Sequence, residues 1–95
     1  MRIAICPGSF DPVTRGHLNI IERSAQRFDR VIVLVMVNPA KTPCFTAEER
    51  ADFLRRVTAH IPNVRVDVST GLLAEYARAA GASTIIKGLR AVTDF

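Results

Sequence analysis

From Pro7 to His17 the sequence reads PGSFDPVTRGH, eleven residues that hold two prolines, two glycines, an aspartate, two hydroxyls and a histidine. A string of this composition predicts a constrained turn leading directly into a helix. Pro7-Gly8 is expected to turn the backbone, Ser9 and Phe10 to offer adjacent backbone N–H groups, and Gly16-His17 to bring a helix N-terminus to the same place. Unpaired amides at such a terminus favour an anion, and a phosphate fits. A cation is disfavoured there, so the imidazole of His17 is expected to be neutral and able to donate one hydrogen bond to a phosphoryl oxygen. Asp11 and Thr14 read as turn and capping residues. The loop is neither a P-loop, which needs Gly-Lys-Ser/Thr, nor GxGxxG. Its plain alternative is a βα turn with a capping histidine.

Three cations farther along can act on the same anion: Lys41, Lys87 and Arg90. Singly, each also reads as a solvated surface side chain, although Lys87, closing the Ile85-Ile86 run, must place its ammonium somewhere polar. Their placement decides between these readings. Arg2 to Cys6 is a short apolar run, followed by Leu18, Ile20, Ile21, Ala25 and Phe28 at helical spacing. Arg30 to Val37 is apolar at nearly every position and valine-rich, as expected of a strand covered on both faces. Thr46-Ala-Glu-Glu49 is a capping box opening a helix to about His60, with Ala47, Ala51, Leu54 and Val57 or Thr58 as its buried stripe. Asn63 to Ser69 alternates valine with polar residues, a strand suited to a sheet edge. Leu72 to Ala80 is helical with Gly81 as its stop, and Thr84 to Lys87 is a fourth strand.

The order βαβαβαβ predicts a Rossmann-like, doubly wound parallel sheet in three αβα layers. In such sheets ligands bind beyond the carboxyl ends of the strands. The Pro7 loop, Asn38-Pro-Ala-Lys41, Gly71-Leu-Leu73 and Lys87-Gly-Leu-Arg90 all fall on that edge, so the three cations gain support from one another. Glu48, Glu49 and Asp52 complement the dipole of their helix rather than form a catalytic pair, and His60 reads as a C-terminal or surface histidine.

Composition narrows the class. A chain of 95 residues with 48% hydrophobic and 23% charged content predicts one small globular domain spanning residues 1–95. Net charge +4 points to anionic partners, but eleven of the thirteen basic residues are scattered arginines, which argues against a nucleic-acid surface. The longest apolar run, Val31 to Val37, is far short of a membrane span, and Pro7-Gly8 interrupts the N-terminal run before a signal-peptide core. A cytoplasmic protein is expected. Cys6 and Cys44 form no CxxC pair, so neither a disulfide nor a zinc site is indicated.

Pro-Gly-Ser-Phe-Asp-Pro-x-Thr-x-Gly-His closely resembles the signature of phosphopantetheine adenylyltransferases, nucleotidyltransferases marked by (H/T)xGH. The likeness continues through Asn38-Pro-Ala-Lys41, Phe45-Thr-x-x-Glu-Arg50, Gly71-Leu-Leu73 and Lys87-Gly-Leu-Arg90-Ala, essentially the whole chain. It implies transfer of the adenylyl group of ATP, with Mg²⁺, to 4′-phosphopantetheine, giving dephospho-coenzyme A and pyrophosphate. By resemblance Ser9 and Phe10 touch the nucleotide, and Ser9 also the acceptor phosphate. His17 stabilises the transition state, Lys41 and Lys87 bind the acceptor, Leu73 lines the pantetheine pocket, and Gly88, Leu89 and Arg90 hold ATP. The family assembles as homohexamers. Lys87 stands where many relatives have arginine, which turns a bidentate clamp into a point charge. Family chains also continue past Phe95 through a serine-rich loop on the ATP phosphates, a further strand and C-terminal helices. Two alternatives therefore stay open: a noncatalytic, ligand-binding fragment, and a related nucleotidyltransferase with another acceptor.

Overall fold

The computed structural model describes residues 1–37 and 44–87. Its elements follow the order β1 (Ile3–Gly8), α1 (Arg15–Arg27), β2 (Arg30–Met36), α2 (Ala47–Val57), β3 (Val64–Ser69), α3 (Leu73–Ala80) and β4 (Thr84–Ile85). All pairings are parallel, in the sheet order β3-β2-β1-β4. The first two crossovers step one way across the sheet and the third returns past β1, which is the doubly wound arrangement.

The two faces of β2 explain its unbroken apolar run. Val31, Val33 and Val35 join Cys6, Ile21, Ala51 and Leu54 in a core under α1 and α2. Ile32 and Leu34 point the other way, joining Ile3 and Ile5 against Leu73, Tyr76 and Ala77 of α3. Strand period two thus divides one apolar sequence between two cores, making three αβα layers. Each fully buried side chain such as Leu54 or Ile21 contributes about 1.5–3 kcal/mol by leaving water. β3 is an edge strand: Val64, Val66 and Val68 pack on the α2 side while Arg65 and Asp67 remain exposed.

Local signals set the helix ends. Thr46 Oγ accepts from the Glu49 N–H at 3.1 Å and the Glu49 carboxylate accepts from the Thr46 N–H at 2.9 Å. At the far end of this stripe Thr58, rather than Val57, is the buried residue, its hydroxyl donating to the Leu54 carbonyl at 2.6 Å. α3 stops where Gly81 enters the left-handed region at φ 71°, which glycine tolerates without strain.

One expectation is corrected. Pro7 and Gly8 do not turn the chain; they continue β1, in register with Leu34 and Val35 of β2. The carbonyls of Ile3 and Ile5 accept from Ser83 and Ile86 on the β4 side. Pro7, two residues on, directs its nitrogen the same way, beyond the end of β4 at Ile85, where no ladder hydrogen bond is required of it. The turn comes at Ser9 to Pro12.

Candidate functional site

Because the four described strands are parallel, their carboxyl ends share one edge of the sheet. The segment after β1 is organised from its far end. Thr14 is the N-cap of α1, and its hydroxyl accepts from the His17 N–H at 3.2 Å. His17 completes the box in the role usually taken by Glu or Gln, its Nδ1 accepting from the Thr14 N–H at 3.0 Å. A nitrogen that accepts cannot carry a proton, so the ring is the neutral Nε2–H tautomer. Burial pushes the His17 imidazole below its ordinary value, in the same direction. One atom, Nε2–H, is thereby left as a donor.

Phe10 holds the other end. Its side chain is buried, 4% exposed, in the α1/α2 core, and its ring meets His17 edge-on at 5.0 Å between centroids. Its ring is therefore not presented to a ligand, whereas Ser9 is exposed. Phe10 lies at φ 49°, a region a bulky residue rarely enters. A Cβ on Gly8 would stand 3.1 Å from the Phe10 ring, so glycine at this position is what admits the ring.

Two further residues bind this loop to the start of α2. The Asp11 carboxylate accepts from the backbone N–H groups of Cys44 and Phe45, at 2.8 and 3.0 Å. Arg50, 4% exposed, donates from Nη1 to the Ser9 carbonyl at 2.8 Å and from Nε to the Thr46 carbonyl at 3.2 Å. Asp11 is thus a loop-to-loop clasp as well as a turn residue. Sequence reasoning names Arg50 only as the end of the Phe45-Thr-x-x-Glu-Arg50 likeness and gives it no role, although its position invites one: it lies four residues before Leu54 on the apolar stripe of α2.

His17, Phe10, Ile86 and Lys87 line a common cavity of about 20 Å³ at the mouth of β1 and β4. The structure thus brings His17 and Lys87 together, with exposed Ser9 next to Phe10. Leu73 opens α3 on the opposite face, half-buried against the second core, and β3 before it is two strand spacings from β1, roughly 10 Å. It shares the edge but not this cavity. Lys41, Gly88, Leu89 and Arg90 lie outside the described residues. A larger hollow of about 450 Å³ runs between α1 and β4, lined by Ile20, Arg23, Arg27, Phe28 and Ile85 among others. It contains none of the candidate residues, so its size does not make it the site.

The remaining reactive groups are accounted for structurally. The Cys6 thiol is buried and pushed up to about 11 by desolvation, against a smaller lowering by its bond with Ser24, so it is not a nucleophile near neutral pH. Cys44 is exposed and both thiols are free. His60 is exposed, 3.7 Å from the Glu22 carboxylate, and Asp52 pairs with Arg56 at 2.9 Å on the outer face of α2. The Tyr76 hydroxyl donates to Asp67 at 2.5 Å, and burial first, then this carboxylate, push it up to about 12.

A family model described as cytidylyltransferase-like matches residues 5–95. The phosphopantetheine adenylyltransferase of Caldanaerobacter subterraneus subsp. tengcongensis is 60% identical over 95 residues, all of this chain and 59% of the relative. That of Symbiobacterium thermophilum is 59% identical over 92 residues, 97% of this chain and 57% of the relative. The chain therefore spans less than three fifths of the length of these relatives. Among solved structures, the lipopolysaccharide core biosynthesis protein from Thermoplasma volcanium superposes with a TM-score of 0.72 at 21% identity, covering 90% of this chain and 72% of that one. This likeness establishes the fold.

Proposed function

Because the chain belongs to the cytidylyltransferase-like family, we propose that it carries the β1 loop and part of the substrate cleft of an enzyme that moves the adenylyl group of ATP to 4′-phosphopantetheine. The observation that carries this reading is the name borne by relatives that match the chain from end to end. The geometry of His17 supplies a means.

In this reaction an oxygen of the acceptor phosphate forms a bond to the α-phosphorus of ATP while the bond from that phosphorus to the bridging oxygen breaks. Pyrophosphate leaves with the electron pair and dephospho-coenzyme A forms. The attacking phosphate is already an anion, so no residue has to remove a proton from it. What the protein must supply is alignment, and positive charge or donors where charge gathers on the α-phosphate. His17 suits this need. With Nδ1 held by Thr14, its Nε2–H donates to a non-bridging α-phosphate oxygen and the ring remains neutral throughout. Lys87, on the same cavity, offsets phosphate charge, and the Ser9–Phe10 backbone donates beside it. Lys41 is assigned to the acceptor, Leu73 to the pantetheine arm, and Gly88, Leu89 and Arg90 to ATP, all on the family resemblance.

Among the described residues no three His, Cys, Asp or Glu side chains gather into a metal-binding group. Magnesium enters this reading, on the resemblance, as part of the substrate, neutralising the triphosphate. Homohexameric assembly follows the resemblance, and a cytoplasmic setting follows the short apolar runs of the sequence; no helix among the described residues is long and apolar enough to cross a membrane.

The test is pyrophosphate release from ATP, Mg²⁺ and 4′-phosphopantetheine, with CTP run in parallel. Release that requires the acceptor and prefers ATP supports the reading. Preference for CTP, or no release together with no binding of either substrate, overturns it.

A further inference from the structure

Arg50 occupies a costly position. Its guanidinium is buried in the α2 face of the core, yet its hydrogen bonds among the described residues go to two backbone carbonyls, those of Ser9 and Thr46. A buried charge is expensive to desolvate, and a neutral donor could latch a loop more cheaply. The Thr46 carbonyl already accepts from the Arg50 backbone N–H at 3.0 Å, so the contact that the guanidinium alone supplies is the one to Ser9.

The consequence lies in the next atoms of the chain. The Ser9–Phe10 peptide is trans, and a trans peptide carries its N–H antiparallel to its C=O. Drawing the Ser9 carbonyl toward Arg50 turns the Phe10 N–H to the other side of the loop. A charged donor on the carbonyl also polarises the peptide, which makes the N–H a stronger donor in turn. Phe10 sits at φ 49°, a conformation that persists only where its surroundings impose it. The imposing contacts are visible: the buried ring against Gly8, its edge against His17, and Arg50 on the preceding carbonyl.

We propose that Arg50 is a positioning residue, which grips the Ser9 carbonyl so that the Phe10 N–H is aimed and strengthened as the loop's donor to the transferring phosphoryl group. This rests on the adenylyl-transfer reading for the identity of the group, but the aiming of the amide is measurable without turnover. In ¹⁵N-labelled full chain, inorganic pyrophosphate is expected to move the Phe10 amide resonance. Arg50→Met, which keeps side-chain length without a donor, abolishes that response, and Arg50→Lys, which keeps the charge and one donor, restores part of it.

In the pyrophosphate-release assay Arg50→Met lowers kcat about a hundredfold with KM for ATP nearly unchanged, as misalignment of a transition-state donor requires. Arg50→Lys regains about tenfold of that loss by the same measure. A merely structural latch would instead lower the melting temperature and leave kcat per folded molecule at the wild-type value, and that result overturns the proposal. The wild-type titration decides the matter if Arg50→Met does not fold: a Phe10 resonance unmoved by saturating pyrophosphate overturns it outright. Absent turnover together with absent binding of ATP and 4′-phosphopantetheine in the wild type, with the Phe10 response to pyrophosphate intact and lost in a folded Arg50→Met, refutes adenylyl transfer and leaves the role of Arg50 standing.

Discussion

Replacing His17 by alanine and, separately, by glutamate pulls apart the two roles that the ring performs. Alanine removes the Nδ1 acceptor of the Thr14 N–H at 3.0 Å, worth about 0.5–1.5 kcal/mol. It also removes the edge contact with Phe10 at 5.0 Å, worth a similar 0.5–1.5 kcal/mol by the usual measure of ~1 kcal/mol for an aromatic pair. The stability loss is thus about 1–3 kcal/mol. Glutamate loses the same ring contact but restores the reciprocal cap, since Thr14-x-x-Glu is the box already present at Thr46 and Glu49. His17→Glu should therefore be more stable than His17→Ala by about 1 kcal/mol, or about 4–8 °C in Tm for a chain of this size. Turnover should rank the other way. His17→Ala loses the Nε2–H donor and about 10²–10³ in kcat, and His17→Glu falls further because it turns a carboxylate toward the phosphates. Thermal melts and the pyrophosphate-release assay on the same preparations check both rankings. Wild-type turnover in His17→Ala would falsify the assignment to the transition state. Equal melting of the two variants would refute the tautomer argument, because it would mean that residue 17 does not close the cap.

Burial holds the His17 imidazole below its ordinary value of 6.5, so the unfolded chain binds its proton first as the pH falls. Its contribution to stability is complete above that value and declines as the pH drops from there through the lower folded value; urea titrations across this window should show the decline in wild type but not in His17→Ala. Asp11→Ala removes two charge-assisted acceptors from the Cys44 and Phe45 amides and should cost about 1–3 kcal/mol. Hydrogen exchange at those two amides should rise, and unchanged protection would mean that the clasp is not formed in solution. Gly8→Ala places a methyl 3.1 Å from the buried Phe10 ring and should cost about 1–3 kcal/mol through overpacking. Phe10→Leu in the same chain should relieve part of that cost, and a double-mutant cycle with zero coupling would show that the ring is not what the methyl meets.

Much of this architecture is legible without any coordinate. The element order, the valine-rich central strand, the Thr46 box and the Gly81 stop are each decided within a turn or a strand's length by period, cap or φ preference. The same holds for the edge shared by Ser9, His17 and Lys87, which follows once every crossover is parallel. The turn expected at Pro7-Gly8 fails for a reason that is not local. Proline is penalised in a strand only where its nitrogen faces a partner, and β4 ends before that point.

Residue types and spacing were enough to establish a constrained βα loop running into a capped helix in a doubly wound sheet, since periodicity and capping act between neighbours in the chain. Tertiary structure alone decided that Asp11 would reach Cys44 and Phe45, that Arg50 would cross 41 positions to Ser9, and that Phe10 would be core rather than surface. Those contacts depend on which helix face meets which loop once the layers close. No local pattern encodes such a meeting, because the energy that selects it arises only when distant segments leave water together.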